Sequence, residues 1–126
     1  MIKQLQKEVL KCPQSDIETT HTFCNGVYAR EIKIPKGVVL VGAKHKTAFF
    51  MVISSGICSI NGVEYKAPQT LISEIGEKRA IYAMEETIIV GFHPTNKTNI
   101  KEIELDIIED EGLKIANNPE VLICGS

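Results

Sequence analysis

The chain has 126 residues, 44% hydrophobic and 24% charged, which suits one soluble domain around a single core. No run approaches the roughly twenty apolar residues of a membrane span, and "MIKQLQKEVLKC" interleaves lysine and glutamate where a secretory signal needs an unbroken apolar segment, so a cytoplasmic protein with no membrane partner is expected. A net charge of −2 excludes a protein that coats a nucleic-acid polymer by counterion release.

Ile2, Leu5, Val9 and Leu10 fall at helical spacing and Pro13 closes the segment, which predicts an N-terminal helix over 1–12. The texture then changes to short β-branched and aromatic runs broken by glycine and proline: "VYAREIKIPKG", "VVLVG", "AFFMVISSG" and "ICSINGVEY". Asn61-Gly62 is the sharpest local signal, because a two-residue type I′ turn needs positive φ at both positions and these residues tolerate it. "QTLISEIG", "RAIYAM" and "TIIVGFH" continue the pattern, with Glu85-Glu86 as a turn. Seven to nine short strands over 20–94 predict an antiparallel barrel or sandwich. After Pro94 the period becomes helical again. Asn99 with Glu102 resembles a capping box, and Ile100, Ile103, Ile107 and Ile108 form one apolar stripe, which predicts a helix over 99–111 with its acids on a solvated face. Residues 112–126 form a tail whose apolar "VLIC" suits docking on the barrel or on a second subunit, so a homo-oligomer is expected.

Charge is unevenly spread. Between Arg30 and Arg79 stand eight lysines and arginines against four acids, an excess that suits a small anion. In "VYAREIKI" the alternation puts Tyr28, Arg30, Ile32 and Ile34 on one face and Glu31 and Lys33 on the other, so Arg30 shares its side with apolar residues. Cys12, Cys24, Cys58 and Cys124 form no C-x-x-C pair and read as reduced thiols. His21, His45 and His93 are scattered, and a metal site assembled from them by folding stays open.

Gly37, His45, Gly56, Pro68 and Gly76 fall in an order that resembles the cupin fold, a double-sheet (jelly-roll) barrel. Metal-binding cupins read roughly G-x5-H-x-H-x3-E-x6-G and P-x-G-x2-H. Anchored on Gly56, the first pattern puts its ligand positions at Ala43, His45 and Phe49; anchored on Gly76, the second puts its histidine at Arg79. Alanine, phenylalanine and a cationic arginine cannot bind a metal, so the resemblance implies a barrel with no metal and no cofactor. Arg30, Arg79 and His45 together would offer two guanidinium forks and an imidazole, a donor set suited to phosphate or carboxylate. Lys78, Tyr28, Tyr82 and His93 complete the candidate ligand-binding set, with Phe49 as an aromatic wall. Each also has an ordinary structural reading: Arg30 can snorkel to the rim, Arg79 can sit in a turn beside Lys78, and His45 can bond a backbone carbonyl.

"GVYAREI", "GEKRAIYA" and "HPT", within a similarity covering roughly residues 13–108, resemble small cupin-like proteins of tailed bacteriophages and prophages. Relatives are richer in histidine just after the position of His45, where this chain has Thr47 and Phe49. A basic interior without metal donors, the phage-like resemblance and the lack of a nucleophile–base pair together point to a binding module that captures an anionic small molecule, by analogy with phage proteins a host nucleotide signal sequestered in evasion of anti-phage defence. An alternative is a metal-independent epimerase or isomerase of nucleotide sugars, with His45 as base and Tyr28 or Tyr82 as acid. A virion accessory protein is the third reading.

Overall fold

A computed structural model of the protein describes residues 17–110 and 113–115. The helix expected over 1–12 and the "VLIC" tail lie outside the described residues. The strands are β1 (Glu18–Cys24), β2 (Val27–Ile34), β3 (Val39–Val41), β4 (Lys44–His45), β5 (Phe49–Ser55), β6 (Ile57–Ile60), β7 (Val63–Lys66), β8 (Gln69–Ser73), β9 (Ala80–Ala83) and β10 (Thr87–Pro94). Helix α1 (Ile100–Ile107), β11 (Ile108–Asp110) and β12 (Leu113–Ile115) follow. Two antiparallel sheets face each other, one ordered β1-β2-β10-β5-β8 and the other β12-β3-β9-β6-β7, and β11 pairs with β4 at one end. The mainly β architecture expected from the punctuated runs is therefore present.

The local signals act as their chemistry dictates. Asn61 and Gly62 take φ of 48° and 84° between β6 and β7, as a type I′ turn requires. Asn99 caps α1, its side-chain oxygen accepting from the Glu102 N–H at 3.1 Å. The helix stops at Ile107, short of the expected 111, for a tertiary reason. Lys46 donates from its backbone N–H to Ile107 O at 2.7 Å and from Nζ to Leu105 O at 3.0 Å, and Ile108 leaves in extended conformation to pair with His45. Its terminal carbonyls are thus satisfied by the barrel instead of by another turn. β1 was not foreseen; Gly26, at φ 80°, turns the chain back so that Cys24 opposes Val27.

Strand alternation sorts the interior into layers. Across β2, β10 and β5, Arg30 lies beside Gly91 and Gly91 beside Met51; one layer in, Ile32, Ile89 and Ile53 align; beyond them Ile34 meets Thr87. Ile34, Ile53 and Ile89 are buried and pack with Cys58, Ile60 and Ala83 of the opposite sheet, which closes that end with apolar side chains. There the Thr87 hydroxyl donates to Glu85 O at 2.8 Å, with Ile57 O also within 3.2 Å.

Gly56 is the tightest point of this closed end. Its φ is +91°, and an added Cβ would stand 2.2 Å from Glu86 O and 2.8 Å from the Thr87 Cα, both backbone atoms that cannot swing aside. Gly56→Ala is expected to cost about 3 kcal/mol or more, read as a lower urea midpoint with unchanged slope.

Candidate functional site

The barrel is not filled at its other end. A cavity of about 350 Å³ opens between the sheets, within the size range of small-molecule sites. Its deep wall is apolar, including Ile32, Leu40, Met51, Ile81 and Ile89. Its polar groups come from four directions: Arg30 on β2, His45 on β4, His93 on β10, and Ser73, Glu77 and Arg79 around the β8–β9 connection. Ala43 and Phe49 line it as well, and Glu104 and Ile108 reach it from α1 and β11.

Gly91 lets two rings of the cavity wall approach the strand. It occupies the centre of the inner face between Arg30 and Met51, and a Cβ there would stand 3.2 Å from His93 Nε2 and 3.3 Å from the Phe49 ring. A glycine inside a central strand weakens it and marks a place where something must come close to the backbone. Beside it three rings pack together, the two imidazoles stacked and Phe49 tilted against both. His45 and His93 lie 5.5 Å apart at 14°, and Phe49 sits 4.3 Å from His93 and 4.6 Å from His45.

The two imidazoles are neutral near pH 7. Burial pushes His93 down to about 4, helped by His45 and Arg30; burial also lowers His45, against the raising effect of its bond to Ala43 O. That bond, 2.9 Å from Nδ1 to a carbonyl that can only accept, fixes the proton on Nδ1 and leaves Nε2 of His45 as an acceptor. His93 Nδ1 and Arg30 Nε are both buried with no hydrogen-bond partner. Arg79 differs: its Nη2 donates to Ile72 O at 2.9 Å and lies 3.1 Å from Glu77 Oε2, and its Nε meets Ser73 Oγ at 3.4 Å. Its charge is already matched. With Glu77 and Glu104 in the same wall, the interior is not the uniformly basic one that two free guanidinium forks would make.

Of the residues singled out from the sequence, Arg30, His45, Phe49, Arg79 and His93 thus meet in one cavity. Tyr28, Lys78 and Tyr82 are not among the described residues that line it. Tyr28 is buried behind His93, packed on Ile103 and Ile107, with its hydroxyl 2.6 Å from Nδ1 of His21. Lys78 is buried elsewhere, and Tyr82, between the inward Ile81 and Ala83, faces outward. Glu104, Glu77, Ser73 and Gly91 had not been singled out. Only the Glu77–Arg79 spacing of two residues offered a signal, and it does not reveal the loop conformation that makes the pair.

No family model and no curated protein matches the chain. Solved structures do match. One is a protein of unknown function with a cupin-like fold from Ralstonia eutropha JMP134, with a TM-score of 0.50, 16% identity, and coverage of 66% of this chain and 59% of that one. Another is a cupin superfamily protein from Desulfitobacterium hafniense DCB-2, with a TM-score of 0.53, 8% identity, and coverage of 66% and 81%. The fold is that of a cupin. A salicylate 1,2-dioxygenase from Pseudaminobacter salicylatoxidans shares it at a TM-score of 0.55 and 9% identity, over 84% of this chain but 35% of the enzyme. The chain therefore spans about three fifths of the Ralstonia protein and about a third of the dioxygenase.

Cupin barrels of the metal-binding kind need several convergent donors. Among the described residues no group of three or more histidines, cysteines or carboxylates could hold a metal ion. His45 and His93 supply two imidazoles, stacked face to face, and Glu77 is engaged by Arg79. These residues do not fit a structural or catalytic metal site of the usual three or four ligands. Among the described residues no helix is long and apolar enough to cross a membrane.

His93 gives the site a pH signature. Its pKa in the folded protein, about 4, lies below the unfolded value of 6.5, so the unfolded chain takes up the proton first. Stability from the neutral ring is complete above pH 6.5 and is lost as pH falls toward 4. The loss should reach about 2–3 kcal/mol by pH 4.5. The urea midpoint of the wild type is expected to lie well below its pH 7 value at pH 4.5, and the two midpoints of His93→Gln to lie clearly closer together.

Proposed function

We propose that the protein is a cupin-fold binding module that takes an anionic small molecule into its barrel, with Arg30 as the principal charged contact. The observation that carries this reading is that Arg30 and His93, which both line the cavity, each bury a side-chain nitrogen without a hydrogen-bond partner, Nε of Arg30 and Nδ1 of His93. A buried donor without an acceptor costs about 1–3 kcal/mol, and more when the group is charged. Such a cost is kept where a ligand relieves it, because only the bound state then satisfies the group. Arg79, braced by Ile72, Ser73 and Glu77, serves as a rigid secondary donor. His45 Nε2 would accept a hydroxyl or amide proton of the ligand, as the neutral state of the ring allows.

On this reading Ala43, His45, Phe49 and Arg79 occupy positions where metal-binding cupins carry ligands, and the guanidinium groups supply the positive charge instead. The cavity lends nothing to a tyrosine acid: the described lining contains no tyrosine, which weighs against an epimerase or isomerase working through a His–Tyr pair. A phage source and a host nucleotide signal rest on the resemblance of "GVYAREI", "GEKRAIYA" and "HPT" alone. The cupin-fold neighbours include enzymes acting on small molecules, by their names a salicylate 1,2-dioxygenase and an oxalate decarboxylase, which supports a small-molecule role without specifying it.

A panel of carboxylates, phosphates and nucleotides, read by thermal shift, tests the proposal. At a hundredfold excess over Kd, at least one anion should raise Tm by roughly 5–10 °C in the wild type and leave Arg30→Met unmoved. Arg30→Met should itself melt no lower than the wild type, and about 1 kcal/mol more stable is expected, since it removes a buried unsatisfied donor. A panel that stabilises neither protein, or both equally, would overturn the reading.

A further inference from the structure

Resting on that reading, we infer that the anion is an amphipathic monocarboxylate, one carboxyl head on a compact apolar body, and not a phosphate or nucleotide. The layering of the barrel carries the inference. Arg30 and Gly91 share one layer, with His93 on the outer side toward β4 and α1; the next layer inward is Ile32 and Ile89, and the opposite sheet adds Leu40 and Ile81. Polarity therefore falls with depth: a head group meets its donors near the mouth and anything behind it meets only hydrocarbon.

The charge count points the same way. The described cavity wall holds two arginines and two glutamates, and one arginine is paired with one of those glutamates at 3.1 Å. Both imidazoles are neutral, so they add no positive charge. The wall leaves one guanidinium unmatched by direct contact, and Glu104 stands at the mouth to repel further negative charge. A polyphosphate would bring two or more charges into a low-dielectric space with one free counter-charge, which is unfavourable. A single carboxylate matches it and accepts the fork geometry of a guanidinium.

The test is a chain-length series of acetate, butanoate, hexanoate and octanoate, run beside inorganic phosphate, AMP and 1-octanol on the full chain and on Arg30→Met. Calorimetry should show affinity rising roughly three- to fourfold per added methylene until the deep wall is reached. Octanoate should bind at least tenfold tighter than 1-octanol, and Arg30→Met should erase that difference. Phosphate and AMP should bind more weakly than hexanoate. A flat chain-length series, or AMP binding best, with dependence on Arg30 retained would overturn the carboxylate assignment and leave anion binding standing. Equal binding of octanoate and 1-octanol with no effect of Arg30→Met would overturn both.

Discussion

Strands β2, β10 and β5 pair so that Arg30, Gly91 and Met51 stand side by side on the inner face, and the chemistry of the barrel follows from that register. Any larger residue at that point would press on His93 and Phe49, whose rings lie over the strand there. The same pairing keeps Arg30 inside. A guanidinium on an inward position, flanked along its own strand by Tyr28 and Ile32, has no route to water that does not cross the sheet or the cavity. Antiparallel register thus converts three residues distant in sequence into one hollow with a charged wall.

Burial then decides which groups carry charge. The imidazoles of His45 and His93 are stacked and shielded, so the neutral form prevails and the histidines act as hydrogen-bonding walls rather than as cations. Arg79 keeps its charge but spends it locally on Glu77 and on the carbonyl of Ile72. What distinguishes the two arginines is therefore neither residue type nor side of the barrel but the presence of a nearby carboxylate. Outside the hollow, Tyr28 links the core to the surface: it packs on Ile103 and Ile107 and meets His21 at the edge, which anchors α1 over that end of the barrel.

Much of this was legible in the residues. The Asn61-Gly62 turn, the Asn99 cap and the alternation in "VYAREIKI" are governed by local sterics and period, so they survive folding unchanged. The spacing from Gly56 and Gly76 led to Ala43, His45, Phe49 and Arg79, all of which line the cavity. The parts that escaped are tertiary. Glu104 reads as one more acid on a solvated helix face until α1 docks across the mouth. Gly91 reads as an ordinary strand glycine until β10 is placed between β2 and β5. The end of α1 at Ile107 depends on Lys46, far away in the chain, reaching its carbonyls. Periodicity cannot report a register between strands that are not neighbours in sequence, and it cannot report which end of a barrel is plugged.

The knot at Gly56 and Thr87 separates the molecule into a base and a rim. At the base, backbone approaches backbone and a threonine hydroxyl sits between two carbonyls, so that region tolerates almost no alteration. At the rim the side chains that touch the hollow come from β2, β5 and β10 as well as from the β8–β9 connection, a two-residue strand and a docked helix, two or more layers away from the knot. Energetic effects at such separated places add nearly independently. New recognition can therefore evolve around the opening of this scaffold while its foundation stays fixed.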